Sequence, residues 1–181
     1  MTTDILSRNF FELFEVPIAY EVDLDLVQQH YRELQKAVHP DKFVNASDQE
    51  KRISMQQTSW VNEAFNTLKQ PVDRAIYLLK LKGVDLNLEN ETTMDADFLM
   101  DQMEMREALS EVQSKDDPLA ELDDFSSQIK NKMKNMMEGF SIAHESNQLD
   151  DAKEWIRKMQ FMQKAKKEVD ELSAKIEDEL F

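Results

Sequence analysis

His39 and Asp41 flank Pro40, so an imidazole and a carboxylate stand on either side of a residue with a fixed backbone angle. Two kinds of chemistry fit that pattern. The pair can trade a proton as general acid and base, or it can be held outward for another protein to read. No serine, cysteine or metal-ligand cluster accompanies the motif. The chain has no cysteine, and its three histidines (His30, His39 and His144) lie far apart. A convex loop tip also offers no pocket for a substrate. Recognition is the better reading: Pro40 stiffens the turn, and Asp41 can make charge-assisted bonds to a partner's arginine. The plain alternative is an ordinary capped turn.

The elements around the motif are helical. Only two glycines and four prolines interrupt the chain, and no alternating run is long enough for a sheet. The expected class is therefore all-α. The spacing predicts a short helix over 9–15, closed ahead of Pro17. Asp23 caps a helix over 24–38, with Val27, Tyr31, Leu34 and Val38 on one apolar stripe. Residues 39–47 read as a loop, and Ser47 or Asp48 caps a helix reaching Lys69. Its apolar face consists of Ile53, Trp60, Ala64, Phe65 and Leu68. Pro71 opens a fourth helix and Gly83 closes it, with Ala75, Ile76, Tyr77, Leu78, Leu79 and Leu81 as its apolar contacts. After a connector over 84–93, three helices follow over 94–113, 118–143 and 149–180. Short turns at 116–118 and 147–148 imply an antiparallel three-helix bundle.

Charge narrows the function classes. The 181 residues include 37 acids and 22 bases, for a formal charge of −15. Such a field repels phosphate backbones and argues against a nucleic-acid partner. No stretch approaches 18 apolar residues and the first residues carry no targeting pattern, so a cytoplasmic protein without a membrane partner is expected. Residues 1–75 carry a net −4 and residues 76–181 a net −11. We divide the chain into a first domain over 1–75, a helix end and linker over 76–93, and a second domain over 94–181.

The helix over 94–113 has two apolar surfaces. Phe98, Met105, Leu109 and Val112 form its core face. Leu99 and Met103 lie on a flank, with Met100, Glu104, Glu107 and Glu111 further round. Either the flank is bundle core, or methionine and carboxylate together make a contact site. The last helix carries a stripe of Met162, Ala165, Val169, Leu172, Ile176 and Leu180. Trp155 and Met159 border one edge and Phe161 the other, while Ile156 faces away for no evident reason.

Tyr31-Arg32-Glu33-Leu34, His39-Pro40-Asp41-Lys42-Phe43 and Asn62-Glu63-Ala64-Phe65 together resemble a J domain. The resemblance implies that His39, Pro40 and Asp41, helped by Arg32, Lys36 and Lys42, engage an ATPase chaperone of the heat-shock type and stimulate its hydrolysis. It also implies that Asn62, Ala64 and Phe65 brace the hairpin. Glu33 and Ala37 stand where bases are common, which thins the docking charge. The stretch from Phe98 to Glu107, with Tyr77-Leu78-Leu79 and Gly83 upstream, extends the likeness over essentially the whole chain, to the HscB family of iron–sulfur assembly co-chaperones. That family resemblance implies two partners, an HscA-type ATPase chaperone and an IscU-type cluster scaffold. The scaffold contacts it implies are Leu99, Met100, Met103, Glu104, Glu107, Glu111 and Phe161, and it implies no cofactor or metal. An adaptor for another client, or a structural helical protein, is the alternative.

Overall fold

The computed structural model describes residues 5–86 and 95–180. Most of the expected connector over 84–93 and Met94 lie outside them, as does the side chain of Leu180. The described chain divides into two compact units, Met1–Val84 and Asp85–Phe181.

In the first unit, Asn9 caps α1 (Phe10–Leu13). Its side chain accepts from the Phe11 and Glu12 N–H groups, and Glu12 reaches back to the Asn9 N–H. The helix is shorter than the expected 9–15, because the backbone turns left-handed at Glu15, φ 54°. One turn suffices to bury Phe10, Phe11, Leu13 and Phe14. Phe10 stacks on Tyr77 at 4.2 Å, meets Trp60 edge-on at 4.9 Å, and donates its N–H to Tyr77 Oη.

Asp23 caps α2 (Leu24–Val38), and Ser47 caps α3 (Asp48–Lys69) in a reciprocal box with Glu50. The two helices pair as a hairpin. Tyr31 stacks on Phe65 at 4.0 Å, and its hydroxyl donates to Asn62 Oδ1, which also accepts from Gln35. The buried row of α3 is Ser54, Gln57, Val61, Ala64 and Leu68. Of the expected face only Ala64 and Leu68 lie in it; Ile53, Trp60 and Phe65 are half-buried flanks. Small and polar residues let the backbones come close, and the large rings cover the edges of the seam.

Pro71 begins α4 (Pro71–Leu81), and Gly83 ends it at φ 76°. The Val84 N–H reaches Leu79 O and the Gly83 N–H reaches Lys80 O, a left-handed stop that glycine adopts without strain. Leu81, expected to be a packing residue, is exposed. Arg74 is 5% exposed, donates to Leu68 O at 2.5 Å, and lies over the Tyr20 ring at 5.0 Å. Burial pushes the Tyr20 hydroxyl up to about 12, with Arg74 opposing the shift. α4 thus packs within the first unit, which runs on to Val84 rather than ending at 75.

The second unit comprises α5 (Ala96–Glu111) with a 3-10 turn at Val112–Ser114, then α6 (Pro118–Glu145) and α7 (Leu149–Leu180). At the α6 end Asn147 takes the left-handed position, φ 56°, while the Gln148 N–H caps Ala143 O at 2.8 Å. α6 buries Leu122, Ile129, Met136 and Ala143, and α7 buries Met162, Val169 and Ile176. Both sets repeat every seven residues, the signature of a supercoiled pair. Ile156, expected to face away from the stripe, is fully buried, and so is Met159, expected at its edge. The start of α7 therefore buries a wider face than the stripe along its later turns.

Gly139 supplies a close approach in this pair. A Cβ there would stand 2.5 Å from Trp155 Cε2. Gly139→Ala should therefore destabilise the second unit by about 1–3 kcal/mol despite alanine's better helix propensity. Urea denaturation followed by circular dichroism measures this; a more stable variant would show that the indole moves aside freely.

Candidate functional site

α2 ends at the tip because α3 catches its last carbonyl. Ser54 Oγ donates to Val38 O at 2.6 Å, and Thr58 Oγ1 donates to the same oxygen at 3.1 Å. Carbonyls at a helix end lack intrahelical partners, and here a buried serine across the hairpin supplies one. The Val38 side chain is itself buried, so the residue before His39 is held at both ends. Pro40 then opens a 3-10 turn, Pro40–Phe43, inside the expected loop. The Lys42 N–H closes it on His39 O at 3.0 Å.

The tip side chains stand in solvent, His39 at 50% and Asp41 at 87% exposure. His39 Nδ1 accepts the Asp41 N–H at 3.3 Å, which leaves Nε2 as the donor of a neutral ring. Asp41 Oδ2 lies 3.5 Å from the same Nδ1. Lys42, Arg32 and Lys36 are exposed. Arg32 and Lys36 border a shallow depression of ≈ 450 Å³ on α2 that also contains Asp25 and Glu33, so this face has mixed charge.

α5 is pinned at both ends. At its start Asp95 accepts from the Phe98 N–H and from Lys158 Nζ at 2.5 Å, and this ammonium holds the carboxyl below its usual range. Lys158 also lies over the rings of Phe98 and Trp155. Phe98 meets Phe161 edge-on at 5.8 Å, and Asp101 pairs with Lys132 of α6 at 2.9 Å. At the far end Val112 is buried.

Between these anchors the helix turns outward. Met100 is 61% exposed and Met103 73%, which takes Met103 out of any bundle core. Glu104, Glu107 and Glu111 are exposed beside them, and Leu99 is half-buried. Leu99, Met103 and Phe161 come together on a groove of ≈ 420 Å³ between α5 and α7; Met100 is not part of its lining. Met105 and Leu109, expected in the core, are half-buried and line the same groove. The α5 face that periodicity assigns to the bundle is therefore closed only at Phe98 and Val112. Ser54, Thr58 and Lys158 were missed from sequence. Ser54 sits on the buried row of α3 and Thr58 four residues on at its half-buried edge, a hydroxyl spacing that is the one signal available; Lys158 shows none.

Among the described residues no group of histidines and acids could hold a metal ion, and no helix is long and apolar enough to cross a membrane.

A braced hairpin displaying an HPD tip, followed by an acidic helical unit with an outward methionine face, defines a J-domain co-chaperone with a C-terminal helical domain. Residues 94–170 match the family described as the HSCB C-terminal oligomerisation domain. A co-chaperone protein HscB homolog from Shewanella halifaxensis is 47% identical, covering 96% of this chain and 99% of the relative. A second from Shewanella amazonensis is 44% identical over 86% of this chain and 91% of its own. Among solved structures, chaperone HscB from Vibrio cholerae is 37% identical with a TM-score of 0.84, covering 96% of this chain and all of that one. Human co-chaperone protein HscB is 32% identical with a TM-score of 0.83, covering 91% and 81%. The chain belongs to the HscB co-chaperone family.

Removing both hydroxyls that hold Val38 O, with Ser54→Ala and Thr58→Val, should destabilise the first unit by about 1–3 kcal/mol. Hydrogen exchange should quicken at the Lys42 amide. Unchanged exchange there would show that the tip does not depend on this tie.

Proposed function

We propose that the protein is an adaptor that delivers an IscU-type iron–sulfur cluster scaffold to an HscA-type ATPase chaperone in the cytoplasm and stimulates that chaperone's ATP hydrolysis. The observation that carries this reading is the pair of anchored but solvent-facing surfaces: Asp41 at 87% exposure on the tip and Met103 at 73% on α5. Membership of the HscB family supports it.

His39, Pro40 and Asp41 dock on the ATP-bound chaperone, with Arg32, Lys36 and Lys42 supplying attraction to an acidic groove. The interspersed Asp25 and Glu33 weaken that attraction toward any uniformly acidic groove and favour a partner whose own charges alternate. Leu99, Met100, Met103 and Phe161 bind the scaffold through apolar contact, and Glu104, Glu107 and Glu111 orient its basic groups. Phosphoryl transfer is the partner's chemistry. The adaptor contributes binding energy and a raised local concentration of client at the chaperone.

Asp41→Ala should leave the fold and scaffold binding intact and abolish stimulation in a single-turnover ATPase assay. Normal stimulation by the folded variant would remove the tip's role. Leu99→Ala with Met103→Ala should weaken the scaffold complex, each anchor by about 1–3 kcal/mol. Calorimetry measures this, and an unchanged affinity would reject the α5 surface. A pull-down separates the scaffold from a broad range of unfolded clients.

A further inference from the structure

The chain has no cysteine, so methionine thioethers are its only oxidisable sulfur. The structure sorts them by access. Met159 and Met162 are fully buried and Met136 nearly so, while Met105, Met133 and Met137 are half-buried. Among the described methionines only Met55, Met100 and Met103 are exposed, and Met103 is the most open of them. Met100 and Met103 stand three apart on one helix, so their sulfurs share a face of α5. Met55 stands by itself on α3, in the other unit.

A thioether reacts with a peroxide through a transition state that separates charge. Water around the sulfur stabilises it, so the reaction follows exposure. An S–O bond forms and the O–O bond breaks; the proton on the transferred oxygen passes to the departing hydroxide, which leaves as water. Sulfur is oxidised and the peroxide is reduced. The surroundings of the pair select the oxidant and decide what the product does. Asp97 and Glu104 lie one turn either side of Met100, and Glu107 lies one turn beyond Met103, all exposed. These carboxylates repel anionic oxidants and leave the neutral one, hydrogen peroxide, free to approach. A sulfoxide oxygen is a strong hydrogen-bond acceptor, and ionised carboxylates offer it no donor. Arg106, the one base over 95–111, is committed to Glu168 of α7 at 3.6 Å. The new oxygens are therefore held by water, on a face that was apolar.

We propose that Met100 and Met103 form a reversible oxidation site, at which hydrogen peroxide makes sulfoxides that release the scaffold from α5 and a methionine sulfoxide reductase restores binding. This rests on the proposed scaffold-binding role of α5. The fold tolerates the change, because α5 is fixed at Asp95, Phe98 and Val112 and neither exposed methionine completes a core. Scaffold contact does not tolerate it. An apolar partner group that closes over this face strips water from the sulfoxide oxygens without replacing it.

For the test, the full chain is treated with hydrogen peroxide, desalted, and compared with itself untreated. Peptide mass spectrometry should find Met100 and Met103 oxidised about tenfold faster than Met136, Met159 and Met162, with helicity and melting temperature kept. Equal rates, or a loss of helicity on oxidation, overturn the proposal. Calorimetry with an IscU-type scaffold should show an affinity about fivefold lower after treatment, recovered on incubation with methionine sulfoxide reductases and a dithiol. An affinity unchanged by full oxidation at both positions overturns the switch and leaves scaffold docking on α5 standing. If the untreated chain does not bind the scaffold, that docking falls and the switch falls with it. Met100→Leu with Met103→Leu, measured against itself, should keep its affinity through treatment, whereas Met55→Leu should lose affinity as the parent does. A leucine pair that loses affinity like the parent places the sensitive sulfur elsewhere and overturns the proposal.

Discussion

The hydrogen bond from Ser54 to the Val38 carbonyl is the contact on which the tip depends. The turn Pro40–Phe43 buries none of its own residues, so no core of its own holds it in place. Its direction is inherited from the end of α2. A terminal carbonyl can rotate toward water, and if Val38 O did so, His39 would lose its fixed starting point. The serine hydroxyl prevents this because it is itself buried, where the alternative is an unpaired donor. The Tyr31–Phe65 stack and the shared Asn62 oxygen then set the register that brings Ser54 opposite Val38. The residues that brace the hairpin therefore act on the tip through alignment.

α5 is held in another way. Lys158 gathers three groups at its start: the Asp95 carboxylate and the faces of Phe98 and Trp155. An ammonium is strongly hydrated, and confining it here is favourable because a carboxylate and two ring faces replace the lost water. With its start fixed this way and its end fixed by Val112, the helix needs little packing in between. That economy leaves methionines and carboxylates available to solvent on a helix whose position is still defined.

Much of the fold was legible in the sequence because its signals were local. Asp23, Ser47, Pro71 and Gly83 begin or end helices within one residue of where their chemistry places them, since each acts through a hydrogen bond or dihedral that needs no distant partner. The HPD motif was also readable, whereas periodicity left Met103 open between bundle core and contact site, and only the placed helix shows it exposed. What failed required knowledge of a neighbouring helix. Ile156 projects away from the stripe on α7 taken alone, yet it is fully buried, which only its neighbours in the fold reveal. Met105 and Leu109 have the period of buried residues, but burial also needs an opposing wall, and here both line the open groove between α5 and α7. Ser54 reads as an ordinary helical serine until the end of α2 is set beside it.

Both units therefore separate the groups that fix an element from the groups that it displays. Buried hydroxyl, ring and ammonium contacts do the fixing, and the displayed residues carry almost no burden of stability. His39 and Asp41 lie in a turn without buried residues, and Met100 and Met103 lie on a helix secured elsewhere. Under the proposed function, substitution at a displayed position changes recognition with little effect on folding. Substitution at a fixing position such as Ser54 or Lys158 acts instead by moving the element it supports. This division also explains the use of methionine rather than leucine on the open face of α5. A side chain that does not have to complete a core can be chosen for flexibility, and in the proposed scaffold-binding role a polarizable unbranched chain keeps apolar contact while the scaffold settles against the carboxylates beside it.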